Sequence, residues 1–179
     1  MAQMTYEFKY VTMSELRARA GDLVDKVAKH NEAYIVDRKG TPLACIVPVS
    51  VFLPDIPSVR LRKEYDELSS SGEEPRFAID DLNQICLIFR HALGREEVSI
   101  RITLPHGYPS TVPQIHVDPL PDNTPHRWAD GTLCVYGEMS SWNPGKHGVL
   151  SSLHLARRWL NRYEEWRRTD RWPSEKALT

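Results

Sequence analysis

The chain has 179 residues, 41% of them hydrophobic and 26% charged, with a formal net charge of −1. This is the composition of an ordinary soluble chain, long enough for one domain or two small ones. It contains no run of about eighteen apolar residues, so no membrane span is expected. Met1 to Tyr10 lacks the basic end, apolar core and cleavage site of a signal peptide, so a cytoplasmic location follows by default.

In chain order, Thr12-Met13-Ser14-Glu15 has the spacing of a capping box, in which the Thr12 hydroxyl accepts from the Glu15 amide and the Glu15 carboxylate reaches back. Leu16, Ala20, Leu23, Val24 and Val27 then recur at helical spacing to about Lys29 and predict one apolar stripe. The runs Ala33 to Arg38 and Pro42 to Val47 are rich in β-formers and are separated by Lys39-Gly40, a hairpin pattern. Strand, helix and hairpin within fifty residues predict a small α/β unit over residues 1–53.

That unit resembles the N-terminal half of the Phd/YefM antitoxins in Ser14, Leu16, Arg17, Ile35, Arg38, Gly40, Pro42, Ala44, Val47 and Pro48. The resemblance covers Tyr6 to about Phe52. It implies a module that dimerises and meets operator DNA, here through Arg17 and Arg19, while the family's toxin-neutralising tail is replaced by other sequence. Charge argues for dimerisation or docking over DNA. Up to Asp55 the chain has seven basic and seven acidic residues, and sixteen and seventeen afterwards. Neither half has the positive excess that drives phosphate contacts.

Pro54 and Pro57 break regular structure, because proline removes a donor and restricts its predecessor, which predicts a short stiff linker at 54–57. A second domain, 58–179, opens with a helix from Ser58, a capping residue, with Leu61, Tyr65 and Leu68 on its inner stripe. Ser69-Ser70-Ser71-Gly72 reads as a loop. Strands follow at Arg76 to Ile79, Ile85 to Arg90, Val98 to Leu104 and Gln114 to Val117. Direct succession favours an antiparallel meander, since parallel pairing needs long crossovers. A helix from about Val149 to Arg167 closes the pattern, with Val149, Leu153, Ala156, Leu160 and Tyr163 on one face. Its Arg157, Arg158, Arg162, Arg167 and Arg168 alternate with Trp159 and Trp166. That mixture suits single-stranded nucleic acid or, with Glu164, Glu165 and Asp170 offsetting the charge, a solvated face. Trp172-Pro173 is expected to pack back on the fold.

Between the last strand and that helix lies the stretch with chemical character. Cys134 follows the Asp130-Gly131 turn, with His126 upstream and Tyr136 just beyond, and Trp142-Asn143-Pro144 comes next. A cysteine so placed is held by apolar neighbours while its sulfur faces a groove, a sensible setting for a nucleophile. Cys45 and Cys86 instead lie within apolar strand-like runs and fit the usual buried role of cysteine. Cys134, His126, His147 and His154 match no common zinc spacing, so no metal is expected. Three cysteines without a Cys-x-x-Cys pair give no disulfide framework and suit a reducing compartment.

This stretch resembles the ubiquitin-conjugating enzymes in His126, Gly131, Cys134, Trp142 and Pro144. Upstream, Ile102 to Pro109 and Val112 to Val117 look like that family's strand, Tyr-Pro corner and following strand. The form of the motif, with Tyr163, Trp166 and Trp172-Pro173 later, is similar to the bacterial branch found in anti-phage defence operons such as CBASS. The resemblance implies an α+β fold of N-terminal helix, four-stranded antiparallel meander, active-site loop and C-terminal helix. It implies an acyl transferase that carries a ubiquitin-like modifier, or a nucleotide-cyclase C-terminus, as a Cys134 thioester. Sulfur suits that chemistry because it is a strong nucleophile at neutral pH.

Aminolysis of the thioester passes through an oxyanion, which needs a donor aimed at it. The family assigns this to the asparagine of His-Pro-Asn, where this chain reads His126-Arg127-Trp128. His126, Asn143 and amides near Cys134 are the candidates to compensate, while Trp142 and Pro144 fix the exit of the loop. Tyr136 is either core or groove wall. The chain has no phosphate-binding Gly-x-x-x-x-Gly-Lys loop, so an activating enzyme is the expected partner and no cofactor is expected. Its Lys176-Ala177-Leu178-Thr179 end has no terminal glycine, so the modifier is expected to be another protein. The rival expectation is a noncatalytic binding protein or DNA-binding regulator with the same fold.

Overall fold

A computed structural model describes residues 7–51, 56, 58–137 and 141–173. The expected linker at 54–57, apart from Ile56, the Ser58 side-chain cap and the C-terminal residues 174–179 lie outside the described residues. The chain divides into two compact units, Met1–Phe52 and Leu53–Thr179. The class is α+β.

Unit 1 contains strand β1 (Phe8–Thr12), helix α1 (Met13–His30), strands β2 (Ala33–Arg38) and β3 (Thr41–Ile46), and a short 3-10 turn at Val49–Val51. The helix starts where the capping box predicts. Thr12 Oγ1 accepts from the Glu15 amide at 3.2 Å, and Glu15 Oε2 accepts from the Thr12 amide at 2.8 Å. Donation from the Thr12 amide, then from the Thr12 hydroxyl, holds the Glu15 carboxyl below its ordinary range. At the other end Asn31 takes a left-handed conformation, φ 57°, and donates to Lys26 O, a frequent way for a helix to stop.

The sheet order is β1-β2-β3, with β1 parallel and β3 antiparallel to β2. Val11, Leu23, Val27, Tyr34 and Val36 form the core, with Met13, Leu16 and Ile46 packed against it. Each such buried aliphatic side chain contributes about 1.5–3 kcal/mol. Two expectations fail here. Val24 of the predicted stripe is 53% exposed, because Leu23 and Val27 already face the three strands and Val24 lies a hundred degrees round the helix from Leu23. Cys45 is exposed rather than buried. It lies on β3, the edge strand of the sheet, every residue of which but Ile46 is exposed.

Unit 2 contains helix α2 (Ser58–Ser70), strands β4 (Arg76–Ile79), β5 (Ile85–Leu93), β6 (Glu96–Leu104) and β7 (Gln114–Asp118), and helix α3 (Val149–Thr169). The strands form one antiparallel sheet in the order β4-β5-β6-β7. The rows Leu87-Ile102-Ile115 and Phe89-Ile100-Val117 are buried. So are Val149, Leu153, Ala156, Leu160 and Tyr163 of α3, the stripe the spacing predicts. The expected loop at Ser69-Ser70 is the last turn of α2, because Gly72, at φ 70°, is where the backbone leaves helical geometry.

Two polar residues take places the sequence reading gave to others. On α2, Tyr65 is 58% exposed while Glu64 is 3% exposed, because Glu64 has buried partners described below. On α3, Arg162 is 3% exposed instead of lying on a solvated face. It lies three residues beyond Trp159, on the same face of the helix, and Trp159 is fully buried.

Candidate active site around Cys134

The Asp130-Gly131 turn is built as its residues require. Gly131 has φ 84°, a backbone state that glycine adopts without penalty. Asp130 Oδ1 accepts from the Thr132 amide at 3.0 Å and the Thr132 hydroxyl at 2.7 Å, which holds its carboxyl below the ordinary range. The Gly131 amide donates to Trp128 O at 2.9 Å, and the Trp128 amide to Thr132 O at 2.8 Å. A bridge between Arg127 and Leu133 continues the pairing, and the Cys134 amide donates to His126 O at 3.0 Å. His126 and Cys134 therefore face each other across a small hairpin, and the Leu133 amide bonds Ile115 O of β7 at 2.8 Å, tying the hairpin to the sheet.

The sulfur's setting differs from the expectation of an open groove. Thr132 to Val135 are all buried, and Cys134 is 4% exposed. The hairpin pairing and the bond to β7 pull this arm inward, so the residue after the turn is packed rather than presented.

His126 is held on three sides. Its backbone is left-handed, φ 55°, an uncommon state for a residue with a side chain. Its carbonyl accepts from the Trp159 indole N–H at 3.1 Å as well as from Cys134. Its ring stacks on Trp172 at 4.4 Å, interplanar angle 26°. Trp172 also lies 5.4 Å from Trp159, so the chain after α3 does pack back.

The exit of the stretch is clamped differently. Trp142 Nε1 donates to Pro109 O at 2.8 Å, and its ring meets Tyr136 edge-on at 5.3 Å. The Tyr136 hydroxyl pairs with Ser152 Oγ at 2.7 Å, and burial pushes its pKa up. Tyr136 is thus a half-buried wall between the hairpin and α3. The Asn143 amide donates to His147 Nδ1 at 3.0 Å, and Asn143 Oδ1 accepts from the Gly145 amide at 2.9 Å. The Pro144 carbonyl accepts from Arg60 Nη1 at 2.8 Å.

Arg60, Glu64 and Tyr108 are central to this clamp; the sequence reading held only Tyr108, as part of the Tyr-Pro corner, and neither Arg60 nor Glu64. Arg60 Nε and Glu64 Oε1 are 2.6 Å apart and both side chains are largely buried. Arg60 also reaches His147 O, and Glu64 accepts from the Tyr108 hydroxyl. Burial and the Glu64 carboxylate raise the Tyr108 pKa. The other Glu64 oxygen accepts from the Val149 amide at 2.7 Å, the first amide of α3 and one of those a helix leaves unsatisfied. The available signal was the Arg60-Glu64 spacing, i to i+4, together with a glycine before α3 that has no capping side chain of its own.

Two of the amides near Cys134 are already engaged, that of Cys134 itself by His126 O and that of Val135 by Leu133 O at 2.9 Å. Among the described residues, no group of three or more His, Cys, Asp or Glu is placed to hold a metal ion. No helix among them is long and apolar enough to cross a membrane.

The DNA candidates belong to unit 1. Arg17 lines a cleft of about 450 Å³ with Thr12, Ser14, Asp37, Arg38 and Lys39. Arg19 does not join it: its guanidinium pairs with Asp22 at 2.7 Å, at a position where α1 departs from helical geometry, φ −134°, ψ 26°.

A helix, four antiparallel strands, a hairpin carrying the buried Cys134 and a packing helix define unit 2 as an α+β domain. Residues 94–179 match the family model described as the type II CBASS E2 protein, which supports an E2-like bacterial family for this part of the chain. No curated protein matches the chain.

Proposed function

We propose that the protein is a ubiquitin-conjugating-like cysteine transferase of bacterial anti-phage defence, with Cys134 as its acyl carrier. The observation that carries this reading is that the matched family region, residues 94–179, contains a single cysteine, Cys134. The thiol loses its proton and attacks the carbonyl of a thioester or acyl-adenylate presented by an activating enzyme. A new S–C bond forms on Cys134, and the donor's thiolate or AMP leaves. An amine or a second thiol then attacks the same carbonyl and releases the Cys134 thiolate. The acyl group is the C-terminus of a ubiquitin-like modifier or of a nucleotide cyclase.

In this reading residues 58–179 are the catalytic domain and 1–53 a Phd/YefM-like dimerisation or docking module. The setting is the cytoplasm, where a thiol stays reduced. His126 shapes the hairpin, Asp130 holds its turn, Tyr136 forms a wall, and Trp142, Asn143 and Pro144 anchor the exit. The chemistry draws on no cofactor of the chain's own.

The burial of Cys134 and the engagement of its amide favour a second reading, a noncatalytic binding protein. Intact mass after incubation with the neighbouring activating enzyme, its modifier and ATP separates the two. A thiol-labile adduct, lost in Cys134→Ala, is the expected result. Absence of any adduct, with an operator-DNA shift abolished by Arg17→Ala, would establish the regulator instead.

A further inference from the structure

We propose that Trp172 is a latch on the Cys134 hairpin, closed in this structure, whose release exposes the sulfur. The proposal rests on the reading of Cys134 as the reactive centre and adds how access to it is governed.

A residue 4% exposed is not attacked by a bulky acyl donor without local movement. The question is which of its surroundings yields. The arm carrying Cys134 is bonded through Leu133 to β7, and Tyr136 is bonded to Ser152 of α3. Those ties lie in the buried body of the domain. The facing arm has one such tie, to Trp159 of α3, and one at the edge of the domain. His126 is held by its carbonyl, shared between the Cys134 amide and the Trp159 indole, and by its ring, stacked on Trp172.

Trp172 arrives there because α3 ends in a reversal. Asp170 is left-handed, φ 56°, and its amide donates to Trp166 O at 2.8 Å. Thr169 Oγ1 then accepts from the Arg171 amide at 3.3 Å. The turn swings the indole back against both His126 and Trp159. Arg171 is exposed and Trp172 half-buried, so the ring sits at the solvent boundary beyond the last helix. Segments of that kind open at far lower free energy than a core does. When the indole leaves, the His126 ring loses its stack and can swing outward, while its carbonyl stays tied to the buried Trp159 indole. That movement of the ring would then uncover the sulfur.

The chain supplies its own controls, since Cys45 is exposed and Cys86 is buried in the sheet. Maleimide labelling of the full chain, followed by peptide mass spectrometry, reads all three thiols separately and needs no acyl donor. The outcome is therefore read whether or not the transferase reading holds. In Trp172→Ala, Cys134 should label roughly 10-fold faster than in the wild type, the order expected when an aromatic stack and its buried area are lost. Trp172→Phe, which keeps a stacking ring, should stay within about threefold. Cys45 and Cys86 should be unchanged in both. Unchanged labelling of Cys134 in Trp172→Ala overturns the latch. So does a rise in Cys86 that matches the rise in Cys134, which would mean general loosening. Equal rates in Trp172→Phe and Trp172→Ala would overturn the stacking account.

Discussion

The two sides of the Cys134 stretch are held by different chemistry. On the exit side, from Trp142 to Val149, a buried ion pair spreads its hydrogen bonds over Pro144 O, His147 O and the Val149 amide. On the approach side, the holds on His126 include a shared carbonyl and a stacked ring. Desolvated charge binds firmly but fails badly when one partner is removed. Aromatic faces at the solvent boundary bind modestly and let go without leaving a buried charge. The contrast teaches that one end of the segment is built as an anchor and the other as a hinge.

The sharpest way to break this comparison is Glu64→Ala, which leaves Arg60 charged and buried and the first amide of α3 without its acceptor. It should cost about 3–5 kcal/mol in urea unfolding. A loss under 1 kcal/mol would show that the anchor is not one. Trp159→Phe keeps the stack with Tyr163 at 5.5 Å but removes the indole donor to His126. Its expected cost is about 1–3 kcal/mol from the lost bond and the space left behind. Tyr136→Phe removes only the bond to Ser152, about 0.5–1.5 kcal/mol by thermal unfolding.

The smallest effect concerns pH. His116 lies opposite Arg101 in the register, close to the Gly131 turn. Burial, then the Arg101 charge, hold its pKa below the ordinary imidazole value. The folded chain therefore keeps this ring neutral where the unfolded chain would take up a proton. Its contribution is fully present above about pH 6.5, the unfolded value. It is lost as pH falls from there through the lower folded value. His116→Gln should flatten the drop in melting temperature across that window; an unaltered profile would place the acid sensitivity elsewhere.

Most of the secondary structure was legible because it is local. The Thr12-Glu15 box, the turn at Lys39-Gly40 and the spacing from Val149 to Tyr163 each announce an element within a few residues. The Asp130-Gly131 turn was legible in the same way, and it placed His126 opposite Cys134. What was not legible depends on partners far along the chain. The Arg60-Glu64 spacing hints at a pair but not that Glu64 is buried in preference to Tyr65; its acceptor role is defined by Val149, 85 residues later. Arg162 reads as one of several surface arginines until α3 turns that face inward. Cys45 reads as core because a strand pattern does not reveal that its strand ends up at the edge of the sheet, with nearly every residue exposed. The depth of Cys134 was missed for a related reason: the bond from Leu133 to β7 is invisible in a motif.

The start of α3 has one further consequence, for anyone wishing to make the protein more robust. Serine or aspartate in place of glycine ahead of a helix is the usual improvement, worth a few tenths of a kcal/mol. At Gly148 a β-carbon would stand 2.5 Å from Glu64 Oε2 and 3.0 Å from its carboxyl carbon. That carboxylate has no freedom to step aside. The textile of the domain is knotted at this glycine, and grafting a better cap there would unpick it from the opposite helix.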